Sequence, residues 1–329
     1  MSLHLSRREF ITGVGCVSAT SLIGAAPFSS LSKSQPTRLG KSPFKIAVIT
    51  DEISQDFDHA CEVASQQFGM QWVEIRGLWN KNLLRLDSQE VAQALVILKK
   101  YNLRVTDIAS PLFKVDWPGA PRSKFSPVRD SFNADFTYDQ QGEVLDRSIE
   151  LAKKFSTDRI RCFDFWRLDD QAPHRQAINE VLQTAAEKAS KSGLFLVLEN
   201  EFECNTATGA EAAKVLAAIP SRNFLLNWDP GNAARVGEVA YPDGYKLLPK
   251  ERIGHCHVKD VAKTGNDWAA MGEGVIDWAG QFAALRRDGY RHAVSLETHW
   301  HGAGSPEASS VKCWSGMKSA LEKANTLHQ

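Results

Sequence analysis

Four short segments of this sequence each place a potential metal ligand at the end of an apolar run. They read L-V-L-E-N-E, L-N-W-D-P-G-N, H-C-H-V-K-D and V-S-L-E-T-H-W, and they supply Glu199, Asp229, His257 and Glu297. Three carboxylates brought together without a partner would repel one another and raise one another's pKa. A bound divalent cation would remove that repulsion, and this oxygen-rich set with one imidazole suits Mn²⁺, Mg²⁺, Co²⁺ or Zn²⁺ without choosing among them.

The segment 253–260, I-G-H-C-H-V-K-D, has an unusual polar pattern. In a strand, the period of two directs His255, His257 and Lys259 to one face, and Cys256 and Val258 to the other. A buried polar group without a partner costs about 1–3 kcal/mol. This face therefore requires a metal or a solvent-filled site, unless the segment is a half-exposed edge strand with its polar side in water.

The elements that must position these residues alternate regularly from Phe44 onward. Strands are predicted at 45–50, 71–76, 103–109, 159–165, 194–199, 223–229, 253–258 and 292–297. Helical patterns are predicted at 57–68, 88–101, 142–155, 175–192, 209–219, 278–288 and 307–324, with Ser88 as the N-cap of the second. Strict alternation requires right-handed crossovers and a parallel sheet. Eight repeats predict an α/β fold of the (β/α)8 TIM barrel type, built as a single domain.

A closed barrel would bring the carboxyl ends of all its strands to one mouth, so the four candidate ligands would converge there. An open doubly wound sheet is the alternative, but no G-x-G-x-x-G turn follows the first predicted strand. Long connections at 110–141 and 298–310 are interpreted as lids or binding loops over the mouth. The alternative for each long connection is a surface insertion or a subunit contact. Any single acidic strand end can also serve only to cap the next helix.

These strand ends resemble the xylose isomerase-like TIM barrel superfamily, which contains sugar phosphate isomerases and epimerases. The resemblance rests on D-P-G-N and H-V-K-D, together with I-T-D-E-I-S-Q-D-F, W-V-E-I-R-G and M-G-E-G-V-I-D-W, and it covers residues 44–329. It implies that Glu199, Asp229, His257 and Glu297 are metal ligands. Of the two histidines, His257 is preferred because it directly precedes the V-K-D of the motif.

The resemblance and the arrangement together imply a divalent-metal-dependent sugar isomerase or epimerase acting through a metal-bound enediolate. Glu199 and Glu297, from opposite sides of the barrel, would be the catalytic base and acid. The first alternative is a lyase or dehydratase that eliminates across a keto-sugar, 3-keto-glycoside or keto-inositol. The second is a non-catalytic periplasmic sugar-binding barrel. An endonuclease of abasic DNA is disfavoured, because the sequence shows neither the additional ligands nor a basic groove.

Further polar and aromatic residues near the strand ends are expected to bind the substrate. An alternative for the second strand is a structural ion pair between Glu74 and Arg76, and Lys259 could pair only with Asp260. Tryptophans near strand ends could stack on a sugar. The predicted substrate-binding residues are Glu74, Arg76, Asn232, His255, Lys259 and Trp300.

Residues 1–43 are interpreted as a twin-arginine export signal followed by a disordered linker. Arg7 and Arg8 precede Phe10 and a mildly apolar, Gly- and Ser-containing stretch that is too short to span a bilayer. This predicts a periplasmic or other extracytoplasmic location without a stable membrane anchor. The five cysteines beyond Cys16 show no close pairing pattern, so no disulfide framework is expected.

The charge balance argues against a polyanionic partner. Lysine and arginine total 39, against 39 aspartate and glutamate residues, and no long basic run occurs. We therefore expect a small-molecule sugar as the ligand and no nucleic acid. The sequence leaves a homo-oligomer open.

Overall fold

The computed structural model describes residues 39–121, 123–124 and 134–328. Most of the predicted export signal and linker lies outside these residues, as does the middle of the predicted loop 110–141. Within the described part of the chain, no helix has both the length and the apolar content that crossing a bilayer requires.

Strands and helices alternate along the chain, and each barrel strand is followed by an α-helix; a further three-residue α-helix, Tyr245–Leu247, precedes the seventh barrel strand. In chain order they are β1 (Lys45–Val48), α1 (Phe57–Glu62), β2 (Trp72–Ile75), α2 (Ser88–Lys100), β3 (Arg104–Leu112), α3 (Gln141–Lys154), β4 (Arg159–Cys162), α4 (Arg175–Ser190), β5 (Phe195–Glu199), α5 (Gly209–Ala218), β6 (Phe224–Trp228), α6 (Pro230–Arg235), β7 (Ile253–Val258), α7 (Trp278–Arg287), β8 (Ala293–Leu296) and α8 (Pro306–Lys323).

The eight strands form one parallel sheet in which β1 pairs with β8 and each later strand pairs with its neighbour in sequence. A parallel bridge between Ile49 and Glu74 joins the β1 side of the sheet to β2 and closes it. The predicted TIM barrel is therefore confirmed, and the open-sheet alternative is wrong. Closure leaves no free sheet edge and brings all eight strand ends to one mouth.

The apolar core lies between the sheet and its helices, whereas the barrel interior is strongly polar. Cys256 and Val258 are fully buried in the main apolar core. The rings of His255 and His257 lie 5.3 Å apart on the other face of β7. The predicted alternation along this strand is confirmed, and the edge-strand interpretation is wrong because both histidines are fully buried.

Two local expectations differ from the structure. The N-cap of α2 is Asp87, which accepts from the backbone of Gln89 and Glu90 and forms a capping box with Glu90, so Ser88 is the first helical residue. The periodicity also missed α6, a six-residue helix that starts at Pro230 directly after Asp229. A helix this short has too few turns to show a periodic apolar face.

Two short antiparallel pairs extend from the barrel mouth. Gly77–Leu78 pairs with Lys81–Asn82, and Asp260–Val261 pairs with Trp268–Ala269. The cysteines of the described chain are all buried and unpaired, as the absence of a disulfide pattern in the sequence predicts.

Candidate metal centre and substrate cleft

The four residues with metal-ligand character converge at the carboxyl ends of β5 to β8. Glu199, Asp229, His257 and Glu297 each offer one ligand atom, and these four atoms all lie within 4.8 Å of one another. All four side chains are buried. Residues that the sequence separates by whole strand-and-helix units thus form a single compact site.

Asp229 has a double function in this arrangement. It is the N-cap of α6, and its Oδ1 accepts a hydrogen bond from the backbone N–H of Asn232 at 2.9 Å. The Asn232 side chain donates to Asp229 Oδ2 at 3.1 Å and to Glu199 Oε1 at 3.2 Å. The D-P-G-N segment therefore orients two of the four candidate ligands. Asn232 thus contacts the carboxylates, and the substrate contact that the sequence suggests for it stays a prediction.

His257 meets carboxylates through both of its ring nitrogens. Its Nδ1 lies 3.2 Å from Glu199 Oε1, 3.2 Å from Glu297 Oε2 and 3.7 Å from Asp229 Oδ2. Its Nε2 lies 2.9 Å from Glu74 Oε1. Burial disfavours the charged imidazole, but the surrounding carboxylates outweigh burial and raise the pKa of His257 well above its usual value. Nδ1 is therefore the nitrogen that faces the other candidate ligands.

Positive side chains surround the same carboxylates. Lys259 places Nζ 2.8 Å from Asp229 Oδ2 and 2.6 Å from Glu297 Oε2. Arg161 contacts Glu199 at 3.1 Å, and Arg76 contacts Glu297 at 3.1 Å. Burial alone would raise the pKa of Glu297, but Lys259 and the nearby histidines hold it well below its usual range. Burial would also raise the pKa of Glu199, but His257 and Arg161 outweigh this effect and lower that pKa below its usual value.

Lys259 reaches this position because a glycine lies beneath it. A Cβ on Gly231 would lie 2.6 Å from Lys259 Cγ, so the third residue of D-P-G-N must lack a side chain. The expectation that Lys259 could pair only with Asp260 is wrong. Asp260 instead accepts from the backbone N–H groups of Gly272, Gly274 and Ile276 and so organises the M-G-E-G-V-I segment.

The donor set fits a divalent cation. Three carboxylates and one imidazole nitrogen meet at one point, and the Lys259 ammonium already lies between two of these carboxylates, so the site favours positive charge. The side-chain nitrogen of Asn232 contacts two of these carboxylates, and its Oδ1 is buried and has no hydrogen-bond partner among the described residues. The composition and convergence of this buried cluster are consistent with a divalent metal site.

Two of the predicted substrate-binding residues lie inside the barrel. Glu74 is fully buried, and although burial opposes its ionisation, His257 and His255 lower its pKa to about 2. His255 contacts Asn227 Oδ1 at 3.1 Å and lies 3.4 Å from Asp107 Oδ1. Burial lowers the pKa of His255 to about 3. The alternative of an ion pair between Glu74 and Arg76 is wrong, because these two side chains have different partners.

An open cleft of 560 Å³ lies at the mouth beside the cluster. Arg76 lines it and donates to Asp51 at 3.0 Å and to Glu52 at 2.7 Å. His299 Nδ1 lies 3.0 Å from Glu52 Oε1. The residues lining the cleft are Asp51, Glu52, Gln55, Arg76, Lys114, Glu201, Phe202, Glu203, Arg235, Trp268, His299 and His301.

Most of these cleft residues lie outside the predicted site. Trp300, which was predicted to contact substrate, packs against the main core and over Gly302, whereas Trp268 lines the cleft. The two long loops contribute Lys114, His299 and His301 to the cleft wall, and their interpretation as binding loops stays a prediction. The sequence could have predicted Asp51 and Glu52 as cleft residues, because this D-E pair directly follows the first predicted strand. No sequence pattern marks Arg235 as a cleft residue.

Comparison with known proteins identifies the class. Residues 63–314 match the family model described as "Xylose isomerase-like TIM barrel". Because this match covers most of the chain, the protein belongs to that family. The family assignment agrees with the resemblance seen in the strand-end motifs.

Individual relatives are distant. L-ribulose-5-phosphate 3-epimerase UlaE from Shigella sonnei (strain Ss046) is 24% identical over 190 residues, which cover 56% of this chain and 65% of that protein. The match thus spans less than two thirds of this curated relative.

The solved structures agree with the fold. The probable 3-DHS dehydratase AsbF from Bacillus anthracis superposes with a TM-score of 0.62 at 20% identity, over 83% of this chain and 97% of that one. IOLI protein with a bound zinc atom gives a TM-score of 0.63 at 15% identity, over 87% of this chain and 99% of that one. D-allulose 3-epimerase from Methylomonas sp., in complex with D-allulose, gives a TM-score of 0.60 at 17% identity, over 87% of this chain and 100% of that one.

Proposed function

We propose that this protein is a divalent-metal-dependent sugar isomerase or epimerase. The observation that carries the proposal is the position of Glu199 and Glu297, whose oxygens each lie 3.2 Å from His257 Nδ1 although they come from strands on different sides of the mouth. A carbon held between two such carboxylates is accessible to a base from two directions. The match to an epimerase in the curated relative supports the same reaction class.

The proposed cation would be held by Glu199, Asp229, His257 and Glu297. When bound, it would polarise a substrate carbonyl and its neighbouring hydroxyl, which makes the C–H bond between them more acidic. The sequence and the donor set leave Mn²⁺, Mg²⁺, Co²⁺ and Zn²⁺ as candidates. Asn232 and Glu74 would fix the orientation of the ligand side chains through the hydrogen bonds described above.

The proton transfer is assigned to Glu199 and Glu297. Their lowered pKa values keep both carboxylates ionised, so either can accept the proton from the substrate carbon. Return of that proton to the neighbouring carbon isomerises the sugar. Delivery to the opposite face by the partner carboxylate, after it takes up a proton from solvent, epimerises it. Lys259 and Arg76 lie beside Glu297 and would stabilise negative charge developing on the substrate.

The test is proton exchange in D₂O with metal-loaded protein and a panel of ketoses and 3-keto-glycosides. We expect deuterium in recovered substrate and, in a parallel reaction in H₂O, a product isobaric with the substrate. Glu199→Gln and Glu297→Gln should each lower exchange by at least about 100-fold. Glu187→Gln, a change at an exposed site on α4, is the matched control and should leave exchange unchanged. Full exchange by Glu297→Gln with normal metal binding would refute the assignment.

The second candidate is a lyase or dehydratase acting on a keto-sugar, 3-keto-glycoside or keto-inositol. It is favoured by the similarity in fold to a probable dehydratase. The same carboxylates would remove the proton, and the C–O bond on the adjacent carbon would then break as the C=C bond forms. The hydroxyl or aglycone oxygen would take up that proton and leave as water or an alcohol. A product lighter by water or by an aglycone would select this reaction. Binding without any deuterium incorporation would instead indicate a non-catalytic sugar-binding barrel.

We also propose export through the twin-arginine pathway, on the basis of Arg7 and Arg8. Replacing both by lysine should leave the full-length precursor in the cytoplasm, while the wild-type chain is recovered from the periplasm at a lower mass. Arg38→Lys in the predicted linker is the control. Equal periplasmic recovery of both variants would contradict the proposal.

A further inference from the structure

One cation that lines the cleft has no carboxylate partner among the residues that the structure describes. Arg235 is the last residue of α6 and is half-buried at the cleft wall. In residues 39–121, 123–124 and 134–328, no carboxylate lies within ion-pair distance of its guanidinium. By contrast, Arg76 contacts Asp51 at 3.0 Å, and Lys114 contacts Glu201 at 3.4 Å. Arg235 therefore presents a positive charge that no carboxylate in the described part of the chain neutralises.

Two aromatic rings hold this guanidinium in place. Its carbon lies 4.2 Å from the ring centre of Phe202 and 4.6 Å from that of Trp268. The planes of these two rings are inclined by 69° to each other, so at most one of them can lie flat against the planar guanidinium, which leaves N–H donors along its edge for a ligand. A guanidinium that is already ordered loses less conformational entropy when it binds than a freely moving one does. The arrangement is that of a prepared anion-binding group.

Arg235 is also close to the candidate metal centre. The Trp268 ring that packs against it lies 4.9 Å from Lys259 Nζ, which in turn contacts Asp229 and Glu297. Along α6, Arg235 follows Asp229 by the length of the helix, roughly 9 Å at the α-helical rise. A short sugar chain with its carbonyl at the centre could place its far end at this guanidinium.

We propose that Arg235 is a subsite for a carboxylate on the substrate, so that the sugar handled at this site is a keto-acid sugar and not a neutral one. The inference rests on the proposed function for the position of the reacting carbons. A guanidinium edge offers two parallel donors that match one carboxylate. A phosphate monoester carries up to two negative charges, and Arg76 and Lys114, which also line the cleft, already pair with carboxylates. A carboxylate therefore fits better than a phosphate.

Calorimetric binding to metal-loaded protein tests the subsite with D-fructose, D-fructuronate and D-fructose 6-phosphate, alongside matched tagatose derivatives. We expect the uronates to bind wild-type protein at least tenfold more tightly than the neutral ketoses. Arg235→Met should remove this advantage and leave neutral-sugar binding unchanged, whereas Arg235→Lys should restore part of it. Equal loss for neutral and charged sugars would overturn the subsite, and a preference for the phosphates alone would overturn its assignment to a carboxylate.

The chain offers a matched control at the opposite end of the barrel. Arg104 stacks on Trp72 at 4.2 Å, and Lys45 lies 4.5 Å from the same ring, so this site repeats the stacked arginine without the cleft. Arg104→Met should leave the ratio of uronate to ketose affinity unchanged. Circular dichroism of Arg235→Met and Arg104→Met checks that both variants fold.

Proton exchange on the same sugars separates this inference from the proposed reaction. If wild type and Arg235→Met exchange neutral and carboxylated sugars with equal efficiency, the subsite is refuted and the reaction stands. If no sugar exchanges, yet uronate binding depends on Arg235, the reaction is refuted and the subsite stands.

Discussion

His257 can offer only one nitrogen to a metal, because Glu74 engages the other. The Nε2 contact of 2.9 Å favours the tautomer that leaves the Nδ1 lone pair facing Glu199, Asp229 and Glu297. Glu74, for which the sequence predicts a substrate contact, is fully buried. From this contact we infer that Glu74 orients the imidazole of His257.

Glu74→Gln should therefore weaken metal binding by about 10- to 100-fold, the usual effect of losing such a partner. The amide keeps the size of the side chain but removes the charge that fixes the tautomer. Chelator competition on purified protein measures the affinity. Glu203→Gln, at the cleft but outside the ligand set, is the control. Unchanged affinity in Glu74→Gln would show that Nε2 needs no charged partner.

Lys259 supplies positive charge to the same carboxylates that a metal would contact. Because its ammonium lies within 2.8 Å of both Asp229 and Glu297, it neutralises part of their mutual repulsion in the metal-free protein. The burial of this side chain makes the compensation strong, since water screens little of it.

Lys259→Met should lower the Tm of metal-free protein and increase the rise in Tm when metal is added, because the cation then becomes the main source of positive charge. Thermal unfolding with and without a chelator measures both quantities. Lys188→Met removes an exposed ion pair with Asp146, which contributes at most about 1 kcal/mol to stability. This control should therefore leave the Tm and its rise with metal nearly unchanged. An identical metal-induced shift in wild type and Lys259→Met would argue against this function of the lysine.

At the scale of elements, α8 packs so closely on the 271–278 segment that one of its residues must be glycine. A Cβ on Gly316 would lie only 1.8 Å from the carbonyl oxygen of Met271, which is backbone and cannot move aside. Gly142 in α3 is the opposite case, since a Cβ there would meet nothing within 4 Å.

Gly316→Ala should destabilise the protein by about 1–3 kcal/mol through overpacking. Gly142→Ala should stabilise it by up to about 1 kcal/mol, because alanine loses less conformational entropy in a helix. Denaturant unfolding of both variants gives the two values. If the signs were equal, the close approach of α8 would not be the cause.

The sequence predicted most elements because their patterns are long and regular. All eight barrel strands and seven helices were anticipated within a few residues, since each has alternating or helical apolar spacing. The sequence does not predict helix α6, because six residues provide no periodic apolar face. Its N-cap, Asp229, is also explained by the sequence pattern as a metal ligand, so it gives no separate signal for a helix. Asp87 was missed as a cap because Ser88 next to it has equal capping preference.

At the scale of the whole molecule, topology made the convergence of the ligand set predictable. Once the strands alternate with helices in a closed barrel, residues at strand ends must meet. Contacts between individual side chains cannot be predicted in this way, because they depend on side-chain orientations that residue spacing does not determine. The contact of Lys259 with Asp229 and the stacking of Arg235 on Trp268 could only be found in the structure.

The stability of the whole barrel should depend on pH through two histidines with opposite signs. Burial and the nearby Arg159 lower the pKa of His292 to about 4, and Arg159 donates to its Nδ1 at 2.9 Å. A hydrogen bond with Glu307 at 2.8 Å raises the pKa of His59. The unfolded chain has a histidine pKa near 6.5 for both.

Between about pH 6.5 and 4, His292 is protonated in the unfolded state but neutral in the folded state. It therefore makes the free energy of unfolding fall as the pH falls. His292→Asn keeps an acceptor for Arg159 and should flatten that decline, although buried His255 still contributes to it. His59 stabilises the fold below about pH 6.5, and that contribution is lost as the pH rises through its elevated pKa. His59→Asn should therefore lower stability at pH 5 relative to pH 8, opposite in sign to His292→Asn. Denaturant unfolding at both pH values measures the effect, and shifts of the same sign would contradict the assigned directions.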